Sequence, residues 1–83
     1  MTEQNLEEIG FERTDVSAEE SGGSAFYYYT IDIGDICLIS NSSDDAEIEG
    51  WWISIFDSIT LKLRGIGDVE QIISILKLNT MNI

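Results

Sequence analysis

Apolar positions along this chain change period twice, and each change marks a predicted element. "TEQNLEEI", residues 2–9, reads as a short helix, with Thr2 as its cap and Glu residues near its positive end. Gly10 stands where a left-handed residue ends such a helix, and Phe11 is then set to touch Leu6. Phe11 to Val16 continues as a strand, and residues 17–24, with Gly22-Gly23, read as a flexible acidic connection. From Ala25 to Ile33 the period falls to two in a run rich in Tyr and Ile. Gly34-Asp35 suits a two-residue hairpin turn that pairs Ile33 with Ile36, Ile31 with Leu38 and Tyr28 with Asn41. A loop from Asn41 to Gly50 leads to a second hairpin, Trp51 to Phe56 with Thr60 to Arg64, turning at Asp57-Ser58-Ile59. Its register sets Ile55 against Leu61, Ile53 against Leu63 and Trp52 against Arg64. The period then lengthens again: Asp68 is the expected cap of a helix over 68–78, with Val69, Ile72, Ile73 and Leu76 on one face.

These elements make an α+β domain spanning 1–83, an antiparallel sheet of four or five strands with a short N-terminal helix and a C-terminal helix packed on one face. Alternation sorts the strand residues into two faces. One is nearly pure hydrocarbon, running from Tyr29, Ile31 and Ile33 through Ile36 and Leu38 to Trp51, Ile53, Ile55, Leu61 and Leu63, and should meet the C-terminal helix. The other mixes polar residues with four aromatics, Phe26, Tyr28, Trp52 and Phe56, and carries Cys37, Lys62 and Arg64. Either the N-terminal helix, with Leu6, Ile9 and Phe11, covers this aromatic face, or it docks a partner or a second copy of the chain. On the second reading Tyr28, Trp52, Phe56 and Arg64 are contact residues, with the Arg64 guanidinium over the Trp52 indole.

Charge changes the picture most. The net charge is −12, and it is unevenly placed: residues 1–57 hold fourteen acids against Arg13, whereas 58–83 hold two acids against three bases. Such a chain repels nucleic acid, which needs Lys and Arg to displace its counterions, and attracts a basic protein surface. The alternative is that the acids serve solubility alone. No apolar run approaches a membrane span and no basic, apolar leader opens the chain, so no membrane partner is expected. Cys37 is the lone cysteine, which predicts a reducing, cytoplasmic setting.

The chemistry that remains is narrow. Without histidine the commonest general base and metal ligand are missing. Cys37 lies in mid-strand with no base beside it, reading as a buried structural thiol, and Gly65-Ile66-Gly67 lacks the rest of a phosphate loop. A glycosidase's paired carboxylates would need a cleft that so short a chain can hardly form. No enzyme activity, cofactor or metal site is expected. Asp44, Asp45, Glu47 and Glu49 lack the order of a calcium loop, with Gly50 after the acids instead of among them. In an extended segment Asp45, Glu47 and Glu49 would instead point the same way about 6.6 Å apart, comparable with a nucleic-acid phosphate step. Together with Glu7, Glu8, Glu12, Asp15, Glu19 and Glu20 they are the predicted surface for a basic partner.

In its size, its acidic stretches "EEIGFERTDVSAEE" and "SDDAEIEGWW", and its αβ pattern, the chain resembles the small acidic proteins of phages and mobile elements, among them anti-CRISPR and other DNA-mimic inhibitors. Those proteins are diverse in fold, so no functional residue carries over by position. The resemblance implies a non-enzymatic, stoichiometric inhibitor that occupies a basic, nucleic-acid-binding surface of a host defence effector, working in the host bacterial cytoplasm. The alternative is an immunity or adaptor protein that neutralises a basic toxin such as a nuclease. A homodimer through the outer sheet face is open under either.

Overall fold

The computed structural model describes residues 1–56, 58 and 60–80. It is α+β, with an antiparallel sheet of order β1-β2-β3-β4 formed by Glu12–Val16, Phe26–Ile33, Ile36–Ser40 and Ile53–Ile55. Four helices interleave with these strands: α1 Glu3–Ile9, α2 Ala18–Ser21, α3 Ser43–Glu49 and α4 Ile66–Thr80.

The first helix ends as its sequence predicts. Thr2 Oγ1 accepts from the Asn5 amide and Asn5 Oδ1 accepts from the Thr2 amide, a reciprocal cap. Gly10, at φ 119°, donates back to the carbonyls of Glu7 and Leu6, and Phe11 donates to Leu6 at 3.0 Å. Leu6 and Phe11 then enter the same core, completing a Schellman ending. The first hairpin also forms as read, with Ile33 opposite Ile36 and Ile31 opposite Leu38 around Gly34 at φ 61°.

The pairing expected between Tyr28 and Asn41 does not form, because the ladder stops at Thr30 and Ile39. Beyond that point serine hydroxyls replace the missing strand. Ser40 Oγ accepts the Tyr29 amide at 2.8 Å and Ser43 Oγ accepts the Tyr27 amide at 3.1 Å. The chain has left the sheet to enter α3, so residues 41–50 are largely helical, not a loop. Ser42 caps this helix through the Asp45 amide, and Asp44 and Asp45 occupy its first turn. Asn41 closes the base of the excursion: its Nδ2 donates to the Gly50 carbonyl at 2.9 Å and its Oδ1 accepts the Trp52 amide at 3.1 Å. The acidic connection 17–24 likewise contains a turn of helix, α2, capped by Ser17 with Glu20 answering.

The strand predicted over Thr60 to Arg64 is reduced to one bridge, Ile53 with Leu63, through bonds of 2.9 and 2.8 Å. The register is the expected one, although Asp57 and Ile59 of the proposed turn lie outside the described residues. The last helix begins at Ile66, so Asp68 sits within its first turn instead of capping it.

The core lies on one side of the sheet. Tyr29, Ile33, Leu38 and Ile53 meet Leu6 and Phe11 from the N-terminal segment and Val69 and Ile73 of α4. Ile72 and Leu76 pack against this cluster, as the helical spacing predicts. Both α1 and α4 therefore use the hydrocarbon face, and the reading in which α1 covers the aromatic face is overturned. Leu6 and Phe11 are too apolar to leave the larger, purer hydrophobic surface for a mixed one.

Candidate functional site

The strand alternation that buries Tyr29 also turns Tyr27 to the core side, at the end of the sheet near the helix α1 N-terminus. There the Thr2 cap holds Glu3 in the first helical turn, and its carboxylate accepts from both phenols: Tyr29 Oη at 2.7 Å and Tyr27 Oη at 3.0 Å. Trp51 packs edge-on against Tyr29, with centroids 5.4 Å apart, and tilted against Tyr27 at 6.0 Å. On strand β1, Arg13 is opposite Tyr29 and Asp15 opposite Tyr27. The Arg13 guanidinium lies 3.6 Å from the Tyr27 ring centroid and pairs with Asp15 at 2.8 Å.

Glu3, Arg13, Asp15, Tyr27 and Trp51 line an open cleft of about 620 Å³ between β1, β2, α2 and α3, with Tyr29 buried behind them. Its carboxylates are Glu3, Asp15, Glu20, Asp44 and Glu47, and Arg13 is the base among the residues lining it. Glu20 is committed to the Ser17 cap, whereas Asp44 and Glu47 accept no hydrogen bond from the described residues. The Tyr27 phenol is held above its ordinary pKa chiefly by its bond to Glu3, with burial second and Glu47 among the charges that add to it. Tyr29 is raised further, first by burial and then by Glu3.

Free tyrosines lose their protons near pH 10. The unfolded chain therefore deprotonates before Tyr27 and Tyr29 do in the fold, so their stabilising contribution is complete below about pH 10 and is lost as pH rises beyond it. Glu3→Gln leaves one amide oxygen for two phenols. Ultraviolet titration should show Tyr27 and Tyr29 ionising nearer pH 10, and the melting temperature should fall by about 5 °C for a loss of about 1 kcal/mol. An unchanged titration would mean that Glu3 does not hold these hydroxyls.

The predicted acidic surface is only partly one surface. Asp15, Glu20, Asp44 and Glu47 converge on the cleft. Helix α3 replaces the extended segment, so the regular ladder of Asp45, Glu47 and Glu49 does not exist. Glu49 instead accepts the Trp52 Nε1 proton at 2.6 Å, and Asp45 and Glu19 are exposed outside the cleft lining. Glu7 and Glu8 are exposed on α1, where Glu8 lines a smaller groove against α4 with Glu70 and Lys77. Glu12 pairs with Thr30 and so belongs to the outer face. Apart from half-buried Glu3, every described acid is exposed, and Arg13 with Asp15 is the one ion pair among the described residues.

On that outer face Phe26 and Tyr28 lie 6.5 Å apart, and Phe56 is 57% exposed. Lys62, not Arg64, lies over Trp52, at 4.9 Å from its ring centroid. In the register that continues from Ile53 and Leu63, Lys62 falls beside Ser54, one step from Trp52 on the same face. Arg64 is exposed. Cys37, opposite Asp32, is half-buried instead of fully buried, and its thiol is raised above the ordinary value by burial and then by Asp32. That shift keeps it protonated and poorly nucleophilic.

The residues missed in the sequence are Glu3, Arg13, Tyr27 and Trp51, which build the cleft. Only Tyr27 left a signal, its parity with Tyr29 on one strand; nothing in the sequence groups Glu3, Arg13 and Trp51 with it. Among the described residues no three Cys, Asp or Glu side chains are grouped to hold a metal ion, and no helix is long and apolar enough to cross a membrane. No protein family, curated protein or solved structure matches the chain.

Proposed function

We propose that this protein is a non-enzymatic inhibitor that binds a basic, nucleic-acid-binding surface of another protein, of the kind a host defence effector presents. The observation that carries this reading is the state of the acids: all the described ones but Glu3 are exposed, and only Asp15 is neutralised by an ion pair among the described residues. Glu3, Glu8, Asp15, Glu20 and Glu49 accept hydrogen bonds within the fold, whereas Glu7, Glu12, Glu19, Asp44, Asp45 and Glu47 accept none from the described residues. Asp15, Glu20, Asp44 and Glu47 line one cleft, and a negative field over such a surface favours encounter with Lys- and Arg-rich partners. A target of this class places the protein in the bacterial cytoplasm, alongside the nucleic acid it displaces.

The test is competition. Protein immobilised at low salt should capture a nucleic-acid-binding protein from bacterial lysate, identified by mass spectrometry. With that partner purified, duplex DNA or structured RNA should displace it from the immobilised protein in proportion to concentration. A partner that stays bound under saturating nucleic acid would overturn the reading, because the two ligands would then occupy different surfaces.

A further inference from the structure

We propose that the cleft between β1, β2, α2 and α3 receives an arginine side chain of the basic partner, and that Arg13 occupies this place in the free protein. The inference rests on the reading of the protein as a ligand for a basic surface, and it names where that surface is gripped. Acidity alone would not single out the cleft, since acids cover much of the chain. Two other features do. Its volume, about 620 Å³, is that of a ligand site and not of a packing defect. Its aromatic floor already carries a guanidinium: Arg13 lies flat enough on Tyr27 to place its central carbon 3.6 Å from the ring centroid while Nε and Nη2 both reach Asp15 Oδ1.

This arrangement is the recognition chemistry of arginine. A planar guanidinium stacks on an aromatic face and directs several donors to carboxylates, which an ammonium cannot do. Arg13 engages one carboxylate. Across the cleft Asp44 and Glu47 on α3 accept nothing from the described residues, so a guanidinium arriving from outside meets acceptors that Arg13 leaves idle. Arg13 also has a side chain half exposed on an edge strand, and the one carboxylate it holds is two residues along its own strand and exposed. An incoming arginine would take the Tyr27 face and bridge to Asp44 and Glu47, and Arg13 would swing into solvent.

The test uses the full chain and two capped tripeptides, glycine-arginine-glycine and glycine-lysine-glycine, followed by ¹H–¹⁵N NMR at low salt. The arginine peptide should shift the signals of Tyr27, Ala46, Glu47 and Trp51, and should bind about three- to five-fold tighter than the lysine peptide. Removing the internal occupant by Arg13→Gln should strengthen binding by about threefold beyond the effect of Lys77→Gln, which removes one positive charge elsewhere. Asp44→Asn with Glu47→Gln should weaken binding more than Glu7→Gln with Glu8→Gln, an equal loss of charge. Equal effects within either pair of variants, or shifts spread over the whole acidic surface, would overturn the cleft as the site while leaving the proposed function standing. No peptide binding by any variant would also overturn the cleft, and the nucleic-acid competition would then decide the function separately.

Discussion

Ile53→Asp is expected to abolish the folded state, the largest effect that a single substitution should have here. Ile53 is fully buried in the cluster with Leu38, Tyr29 and Val69, and its backbone is bonded to Leu63 while it stands opposite Ser40. The change removes about 1.5–3 kcal/mol of apolar burial. It also demands either an ionised carboxylate without a partner or a proton taken up at neutral pH, several kcal/mol more. A chain of 83 residues has about 4–12 kcal/mol in total. The sum of the two losses therefore consumes most or all of the stability. Ile53→Val, which keeps the branch and loses one methylene, should cost about 1 kcal/mol and lower the melting temperature by about 4–8 °C. Circular dichroism on both variants checks the pair. An aspartate variant melting like the parent would mean that the face assigned to the core is the solvent face.

Ile53 also marks how far the sequence can be read. Its face was legible because a period of two is strict along a strand, and one error of register would have exposed Leu38 and Ile55 together. The Gly10 ending and the Gly34 turn were legible for a related reason, since each depends on a residue whose conformation is local. Helix α3 was not. Its seven residues include several acids and a single large apolar residue, Ile48, which is 88% exposed, so no apolar stripe announced it. The helix is held by local chemistry: the Ser42 cap, acids in the first turn, and Asn41 bonded across its base to Gly50 and Trp52. A Ser cap followed by Asp-Asp was visible, but the surrounding polarity favoured a loop. The strand after Ile59 shows the opposite error. Its alternation was real and its register correct, yet only Leu63 has pairing enough to count. The cleft was hidden because it combines residues from distant stretches, Glu3 with Tyr27 at a separation of 24 positions and Trp51 beyond them. Single positions gave no reason to group them.

Neutralising the acids of helix α3, with Asp44→Asn, Asp45→Asn, Glu47→Gln and Glu49→Gln together, is expected to slow association with a basic partner by about tenfold at low salt. The fold should survive. None of the four is buried, and the Glu49→Gln change keeps a side-chain oxygen able to accept the Trp52 indole proton. The two aspartates favour the positive end of α3, so losing them costs about 0.3–1 kcal/mol each, below what the whole fold has available. Individual exposed ion pairs with a partner contribute about 0–1 kcal/mol, too little for any one acid to dominate equilibrium binding. Their sum acts earlier, on the encounter. Removing four negative charges takes the net charge from −12 to −8, a loss of a third, so the dependence of the association rate on ionic strength should flatten by about a third. Because Asp44 and Glu47 line the cleft, the dissociation rate should rise as well, whereas neutralising Glu7 and Glu8 should alter association alone. Stopped-flow binding to the purified partner across a range of salt measures both rates. Unchanged association and an unchanged salt slope in the fourfold variant would mean that these carboxylates only solvate the chain, and the inhibitor reading would lose its electrostatic basis.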